Sequence, residues 1–187
     1  MYERQKRYYH LRAGEYDRGA WEAGGVEVDR LVDVVASLVP ARTLDAGCGT
    51  GFLSQHLRGE LTLLDASEDM LAIATARVPR AAVVQGDALQ LPFPAGAFER
   101  VFSSHLYDHL LPDDRQRFLA EARRVADEVV LVQQRGDTHS EGPELRPLTD
   151  GSTHEIYKTL FTPDSLLAEL GGGELLYAGP IFLVARS

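Results

Sequence analysis

The chain has 187 residues, with 28 acidic against 19 basic side chains and a formal net charge of −9. That size suits a single domain, residues 1–187, burying roughly 70% of the surface its unfolded chain would expose. The charge argues against nucleic acid as a partner, since a phosphate backbone needs a basic face. A single cysteine, Cys48, excludes an internal disulfide and fits a reducing, cytoplasmic setting. No apolar run approaches the ~20 residues of a membrane helix, and residues 1–7 lead into no apolar core of a secretory signal.

In chain order, Tyr9, Ala13 and Tyr16 recur at helical spacing among Arg4, Lys6, Arg7 and Arg12, which sets residues 1–25 apart as an N-terminal segment. Val28, Leu31, Val32, Val35, Leu38 and Val39 form the stripe of an amphipathic helix that Pro40 ends. A strand opens at Thr43-Leu44 and stops near Asp45. Gly47, Gly49 and Gly51 follow at alternating positions, and a helix holding Phe52, Leu53 and Leu57 is expected before Gly59. The first N–H groups of such a helix have no partner within it and would face a ligand.

Residues 61–64 are short and apolar, a buried strand. Ser67 caps the next helix, with Glu68 and Asp69 in its first turn, where the helix dipole favours negative charge. Residues 82–85 and 100–104 read as strands, separated by a loop carrying Pro92 and Pro94. Pro112 opens a helix containing Phe118, Leu119, Ala122 and Val125, and residues 128–132 form another strand. This alternation calls for an α/β fold with a parallel sheet covered on both faces. Residues 134–160 are polar and rich in Gly, Pro and Thr, and read as a long loop of functional use. Thr162 and Pro163 start a last helix, Gly171 to Gly173 end it, and two short apolar runs joined by Gly179-Pro180 close residues 161–187 as a hairpin.

Several nucleotide-binding families use a glycine-rich turn after a strand. The G-x-G-x-G spacing here differs from the G-x-G-x-x-G of dinucleotide enzymes. Asp65, ending the second strand, suits a pair of ribose hydroxyls but serves an NAD-dependent oxidoreductase equally well. Asp87, in Gly86-Asp87-Ala88, can accept from an exocyclic amine, and Leu89 to Phe93 can wall a ring. Taken together, Leu44-Asp45-Ala46-Gly47-Cys48-Gly49-Thr50-Gly51, Asp65 and Gly86-Asp87-Ala88 resemble the class I S-adenosylmethionine-dependent methyltransferases, over about residues 43–132.

The resemblance implies a doubly wound, seven-stranded, mostly parallel sheet with an antiparallel C-terminal hairpin, the Rossmann-like methyltransferase fold, with residues 40–133 as its cofactor-binding core. It implies S-adenosylmethionine as cofactor and S-adenosylhomocysteine as product. Asp45 would help hold the methionine amine, Gly47 and Gly49 would pack against the methionine and ribose, and Tyr16 would reach the methionine carboxylate. Asp65 would take the ribose, Ala66 and Met70 the adenine face, Asp87 and Ala88 the adenine edge, and Ser103 with Ser104 the methionine end. Residues 1–25 would act as a lid. The Lys/Arg-Pro-Gly-Gly turn many relatives carry before the fifth strand is replaced here by residues 124–128.

Methyl transfer needs alignment of acceptor and methyl, and a base only where the acceptor is protonated. His105 and His109, directly after the fourth strand, are the candidate acid–base pair, although packing or capping would account for them equally. No third ligand stands beside them, so no metal site is expected. His139, His154 and Tyr157 mark residues 134–160 as a further acceptor-binding candidate. The short chain favours a small-molecule acceptor, with the protein a monomer or homodimer. A cofactor-binding sensor without turnover, or a partner subunit, stays open.

Overall fold

The computed structural model describes the backbone of residues 2–21 and 25–187 and the side chains of residues 7–18, 21 and 25–187, so the expectations on Arg4 and Lys6 lie outside the described side chains. Among the described residues nine strands occur in chain order: β1 (Thr43–Ala46), β2 (Leu61–Asp65), β3 (Ala82–Gln85), β4 (Arg100–Ser104), β5 (Glu128–Gln134), β6 (Ser140–Pro147), β7 (Thr153–Leu160), β8 (Glu174–Ala178) and β9 (Phe182–Arg186). The helices are α1 (Tyr2–Arg12), α2 (Tyr16–Ala20), α3 (Val26–Ser37), α4 (Glu68–Arg77), α5 (Pro112–Val125) and α6 (Pro163–Glu169).

Seven strands form one sheet in the order β3-β2-β1-β4-β5-β9-β8, while β6 and β7 pair separately. Strands β1 to β5 are parallel, and β9 runs antiparallel to both β5 and β8. This is the doubly wound α/β sheet with its antiparallel closing hairpin. Side chains alternate across it, as a pleated strand requires. Val129 and Leu131 pack with Phe118 and Ala122 of α5 and Leu166 of α6, whereas Val130 and Val132 pack with Leu31 and Val35 of α3 and Ala74 of α4. Each fully buried side chain of this kind contributes about 1.5–3 kcal/mol of apolar burial.

Strand order reverses between β1 and β4, and in such sheets a ligand lies beyond the carboxyl ends at that reversal. Asp45 to Gly51 leave β1 there, and residues 105–109 leave β4 beside them. Local chemistry holds these loops. Ser67 Oγ accepts from Met70 N at 3.3 Å, capping α4 as its sequence predicts. Thr162 and Ser165 form a reciprocal capping box at the start of α6.

Two expectations are corrected. No α-helix follows the glycine turn: Ser54–His56 make a single 3-10 turn and Leu57 is already extended. Gly51 (φ +72°) and Gly59 (φ +98°) bracket only seven residues, too few to offset the cost of nucleating a helix. Residues 134–160 are not a plain loop either. They contain β6 and β7, paired over Ser140↔Leu160 to Pro147↔Thr153. The turn between them is closed by Leu148 N to Ser152 O (2.9 Å) and by Gly151 at φ +86°.

Among the described residues, no helix is long and apolar enough to cross a membrane.

Candidate active site

A cleft opens at the carboxyl ends of β1, β2 and β4, where sheets of this kind take their ligands. Of the residues expected at the cofactor, Tyr16, Gly47, Gly49, Asp65, Ala66, Met70 and Ala88 line it. Asp45 lines an adjoining hollow with Gly47, Cys48, Gly49 and Ser104.

The glycine turn is fastened to β2. Gly47 N and Cys48 N donate to Leu64 O at 2.8 and 3.0 Å, and Gly49 N donates to Asp65 Oδ2 at 2.9 Å. The other oxygen of Asp65 accepts from Ser67 N at 2.9 Å. Asp65 therefore organises both the turn and the start of α4 while facing the cleft. Burial raises its pKa, and the Ser67, Gly49 and Ala66 N–H groups oppose that rise. Gly47 sits at φ +75°, and a Cβ there would lie 2.8 Å from Leu106 Cδ2, so this position demands glycine.

Asp45 is 2% exposed. Its Oδ2 accepts from Ser54 Oγ, and its Oδ1 is buried with no hydrogen-bond partner. Burial pushes its carboxyl up to about 7, the Ser54 hydroxyl pulls it back, and the charge of Asp65 adds to the rise. Ser104 Oγ, in the same hollow, is also buried without a partner. Buried polar atoms left unpaired cost free energy unless something meets them. An acceptor-only oxygen of this kind fits a cationic amine, and the glycine cradle beside it lets a ligand approach the backbone.

Two expected residues are placed elsewhere. Ser103 is fully buried and donates from Oγ to Ala46 O at 2.8 Å, tying β4 to β1; Ser104 lines the cleft instead, because alternate strand residues face opposite ways. Asp87 is not among the lining residues. Its Oδ1 accepts from Leu89 N at 2.8 Å and steadies the turn after β3, while Gly86 and Ala88 line the cleft on either side of it. Cys48 is half-buried against the core under α3, and burial holds its thiol well above the ordinary value. It fills space in the turn.

The far end of the cleft is lined by Tyr9, Tyr16, His105, Leu106, His109 and Leu110. His105 and His109 both line the cavity, His109 ending a 3-10 turn over Tyr107–His109 and His105 two residues before that turn. Asp108 lies between them, fully buried, with Oδ2 bonded to Lys158 Nζ at 2.5 Å and 3.3 Å from His105 Nδ1. Burial alone would raise its carboxyl, but the Lys158 ammonium, His109 and His105 outweigh that and hold it well below the carboxylate range. Sequence reasoning missed Asp108 and Lys158. Asp108 stood in the quoted His105–His109 run, but its lysine comes from β7, 50 positions away.

The N-terminal segment covers this end. Tyr9 Oη bonds His109 Nε2, Arg12 lies over the Tyr16 ring at 5.2 Å, and Asp17 bonds both Thr50 Oγ and Arg77 Nη2 at 2.6 Å. Tyr8 packs with Leu148 and Ile156 of the β6–β7 unit in a small core of its own. His139 meets Phe161 and His154 meets Tyr8, so neither lines the cleft.

An acid near the end of β1, a glycine turn at the strand reversal, and an acid ending β2 that holds that turn meet around one cleft. The chain belongs to the class I S-adenosylmethionine-dependent methyltransferase superfamily, and residues 44–128 match the methyltransferase domain family. A demethylmenaquinone methyltransferase of Thermotoga maritima is 34% identical over 101 residues, covering 51% of this chain and 43% of that protein. Ajmaline N-methyltransferase of Rauvolfia serpentina is 30% identical over 139 residues, covering 63% and 47%. The matches thus span about half the length of these curated relatives. Similarity to solved structures runs further. The DhpI–SAH complex superposes with a TM-score of 0.83 at 25% identity over 98% of this chain and 94% of that one, and the DhpI–SAM–HEP complex gives 0.82 at 26% over 100% and 96%.

Proposed function

We propose that this protein transfers the methyl group of S-adenosylmethionine to a small-molecule acceptor by in-line displacement. The observation that carries the reading is the pairing, in one cleft, of the cofactor cradle (Asp45, Gly47, Gly49, Asp65, Ala66, Met70) with a separate end walled by Tyr9, Tyr16, His105 and His109. S-adenosylmethionine supplies a methyl on a positively charged sulfur, a good electrophile without further activation. Asp45 would hold the amine of the methionine through its unpaired oxygen, Tyr16 would cover the methionine end, and Asp65 would accept from the ribose. Met70 and Ala66 would face the adenine, with Ala88 at its edge. The tyrosines and Leu106 exclude water, and holding the acceptor in line supplies about 7–11 kcal/mol of the barrier reduction.

The relatives act on unlike acceptors by name, a demethylmenaquinone, ajmaline and a malonyl-acyl carrier protein among them, so their names do not choose the acceptor atom. The acidic charge and the enclosed acceptor end favour a small molecule over nucleic acid, and the lone thiol favours a cytoplasmic setting.

Calorimetric titration with S-adenosylhomocysteine, with NAD as the contrast, tests the cofactor. The expected result is binding of the first alone; binding of NAD alone overturns the reading. Methyl-labelled S-adenosylmethionine offered with a panel of hydroxyl, amine, thiol and carboxylate compounds tests transfer. Cofactor binding with no labelled product across that panel returns the protein to a sensor or partner subunit.

A further inference from the structure

The two histidines at the acceptor end differ in what their ring nitrogens meet. His109 is occupied on both sides. Its Nδ1 lies 2.8 Å from the Tyr157 carbonyl, which can only accept, so Nδ1 carries the proton. Its Nε2 is then the acceptor for the Tyr9 hydroxyl. Burial holds this imidazole down to about 4, so it is neutral at physiological pH.

His105 is occupied on one side. Its Nδ1 faces the buried carboxylate of Asp108 at 3.3 Å, and a carboxylate kept ionised by Lys158 can only accept. Nδ1 therefore carries the proton, and Nε2 is left with its lone pair. Among the described residues no group bonds Nε2, and the ring lines the cleft. The ring is also fixed, 5.3 Å from Trp21 and 5.7 Å from Phe182 by centroid. His105 is the one non-glycine described residue at positive φ (55°), a conformation that strains a residue bearing a Cβ. Strained backbone that the surrounding structure holds in place is common where a side chain must be aimed.

We infer that His105 is the proton acceptor of the reaction and that Asp108, anchored by Lys158, is the positioning residue that fixes its tautomer. The acceptor class follows: its attacking atom carries a proton at working pH, a hydroxyl above all. This rests on the methyltransferase reading above. As the hydroxyl oxygen bonds to the methyl carbon, its proton passes to His105 Nε2. The carbon–sulfur bonding pair stays on sulfur, and the imidazolium afterwards returns its proton to water. Asp108 bonds His105 and is itself met by Lys158 from β7 and by His109, while Tyr9 and Tyr16 from the N-terminal helices, Asp65 from β2 and His109 line the same cleft as His105. Because Lys158 offsets Asp108, the carboxylate orients the ring more than it stabilises the imidazolium.

Two measurements test this on the full chain. Nitrogen-15 NMR of the histidine rings, with the protein saturated with S-adenosylhomocysteine, should show both His105 and His109 as Nδ1–H tautomers. Asp108→Asn should mix the His105 tautomers and Asp108→Glu should restore the first, with His109 unmoved. A wild-type His105 in the Nε2–H form overturns the proposal, and that reading needs neither an acceptor nor a variant. With labelled S-adenosylmethionine and the acceptor panel, hydroxyl compounds should be turned over with a pH-dependent kcat, and His105→Gln should abolish that pH dependence. His105→Gln should lower kcat at least 100-fold with little change in KM, as loss of a general base does. Turnover of carboxylates alone, independent of pH, or a His105→Gln enzyme within tenfold of wild type, overturns it. Failure to bind S-adenosylhomocysteine would instead strike the underlying methyltransferase reading.

Discussion

Tyr9 on α1 and His109 beyond β4, 100 positions apart, share a hydrogen bond from the tyrosine hydroxyl to Nε2 inside the cleft that both line. The bond joins the N-terminal segment to the acceptor end. Their rings also meet at 5.2 Å, and Tyr9 in turn contacts Tyr16 at 6.0 Å. Burial raises the Tyr9 hydroxyl well above its ordinary pKa, so it stays a donor across the physiological range.

Tyr9→Phe keeps the ring and removes the donor, leaving a buried imidazole nitrogen unmet. That costs about 1–3 kcal/mol, read as a lower urea midpoint with an unchanged m-value. Hydrogen exchange in residues 7–12 should quicken, and S-adenosylhomocysteine should dissociate faster. An unchanged exchange pattern would mean that Tyr8, packed on Leu148 and Ile156, holds α1 without help.

Gly47→Ala separates backbone strain from contact. The φ of +75° costs an alanine about 1–2 kcal/mol, and the new Cβ must also push Leu106 out of the cleft wall. Gly96→Ala is the comparison, since φ is +67° there and nothing lies within 4 Å of the added carbon. Both variants should lose about 2–8 °C in Tm. Only Gly47→Ala should weaken S-adenosylhomocysteine binding, by at least tenfold in calorimetry.

How much of this was legible in the sequence depends on the range of the interaction. The strands β1 to β5, the Ser67 cap, the Thr162 start of α6 and the closing hairpin follow from local patterns, and all appear. The β6–β7 pair was masked by Gly142, Pro143 and Pro147, residues that argue against a strand. Yet Asp150-Gly151 is a hairpin turn signal, and β7 carries the β-branched Thr153, Ile156 and Thr159. The helix expected at Phe52 failed because periodicity says nothing of length between two positive-φ glycines. Ser103 and Ser104 could be told apart only by which face of β4 looks into the cleft. The Asp108–Lys158 pair joins elements whose approach no local pattern encodes.

Asp17 ties α2 to the glycine turn by accepting from Thr50 Oγ and from Arg77, which also bonds Thr50 O at 3.0 Å. The Asp17 and Arg77 side chains are about a quarter exposed, so Asp17→Asn should cost only about 1 kcal/mol in global stability. Its larger effect is expected on the cofactor, with S-adenosylhomocysteine leaving several-fold faster in stopped-flow displacement. Arg77→Lys should not substitute, because a point charge cannot bond the carboxylate and Thr50 in one planar fork. Wild-type dissociation rates in both variants would show that the link does not hold the cofactor in.

Asp45 and His109 act on stability in opposite directions over one pH range. The Asp45 carboxyl is raised from 3.8 to about 7 by burial, so between these values the folded protein holds a proton that the unfolded chain has lost. Its contribution to stability therefore grows as pH falls from about 7 towards 4. His109 is lowered from 6.5 to about 4 by burial, so in that window the unfolded chain holds the extra proton, and its contribution is lost as pH falls. The two slopes largely cancel in the wild type, each being on the order of 3–4 kcal/mol over the window. Asp45→Asn should expose the histidine slope, giving a protein that loses stability from pH 6.5 to 4. His109→Gln should expose the aspartate slope, giving one that gains stability over the same range. Urea unfolding at half-unit steps between pH 4.5 and 7.5, chosen on these two pKa values, reads both. In the wild type the same Asp45 ionisation should make S-adenosylhomocysteine bind more tightly as pH rises towards about 7, because a cationic amine is met only by the charged carboxylate. In Asp45→Asn that dependence should vanish, and affinity should fall at every pH. A wild-type-like pH profile of binding in Asp45→Asn would remove Asp45 from the cofactor site.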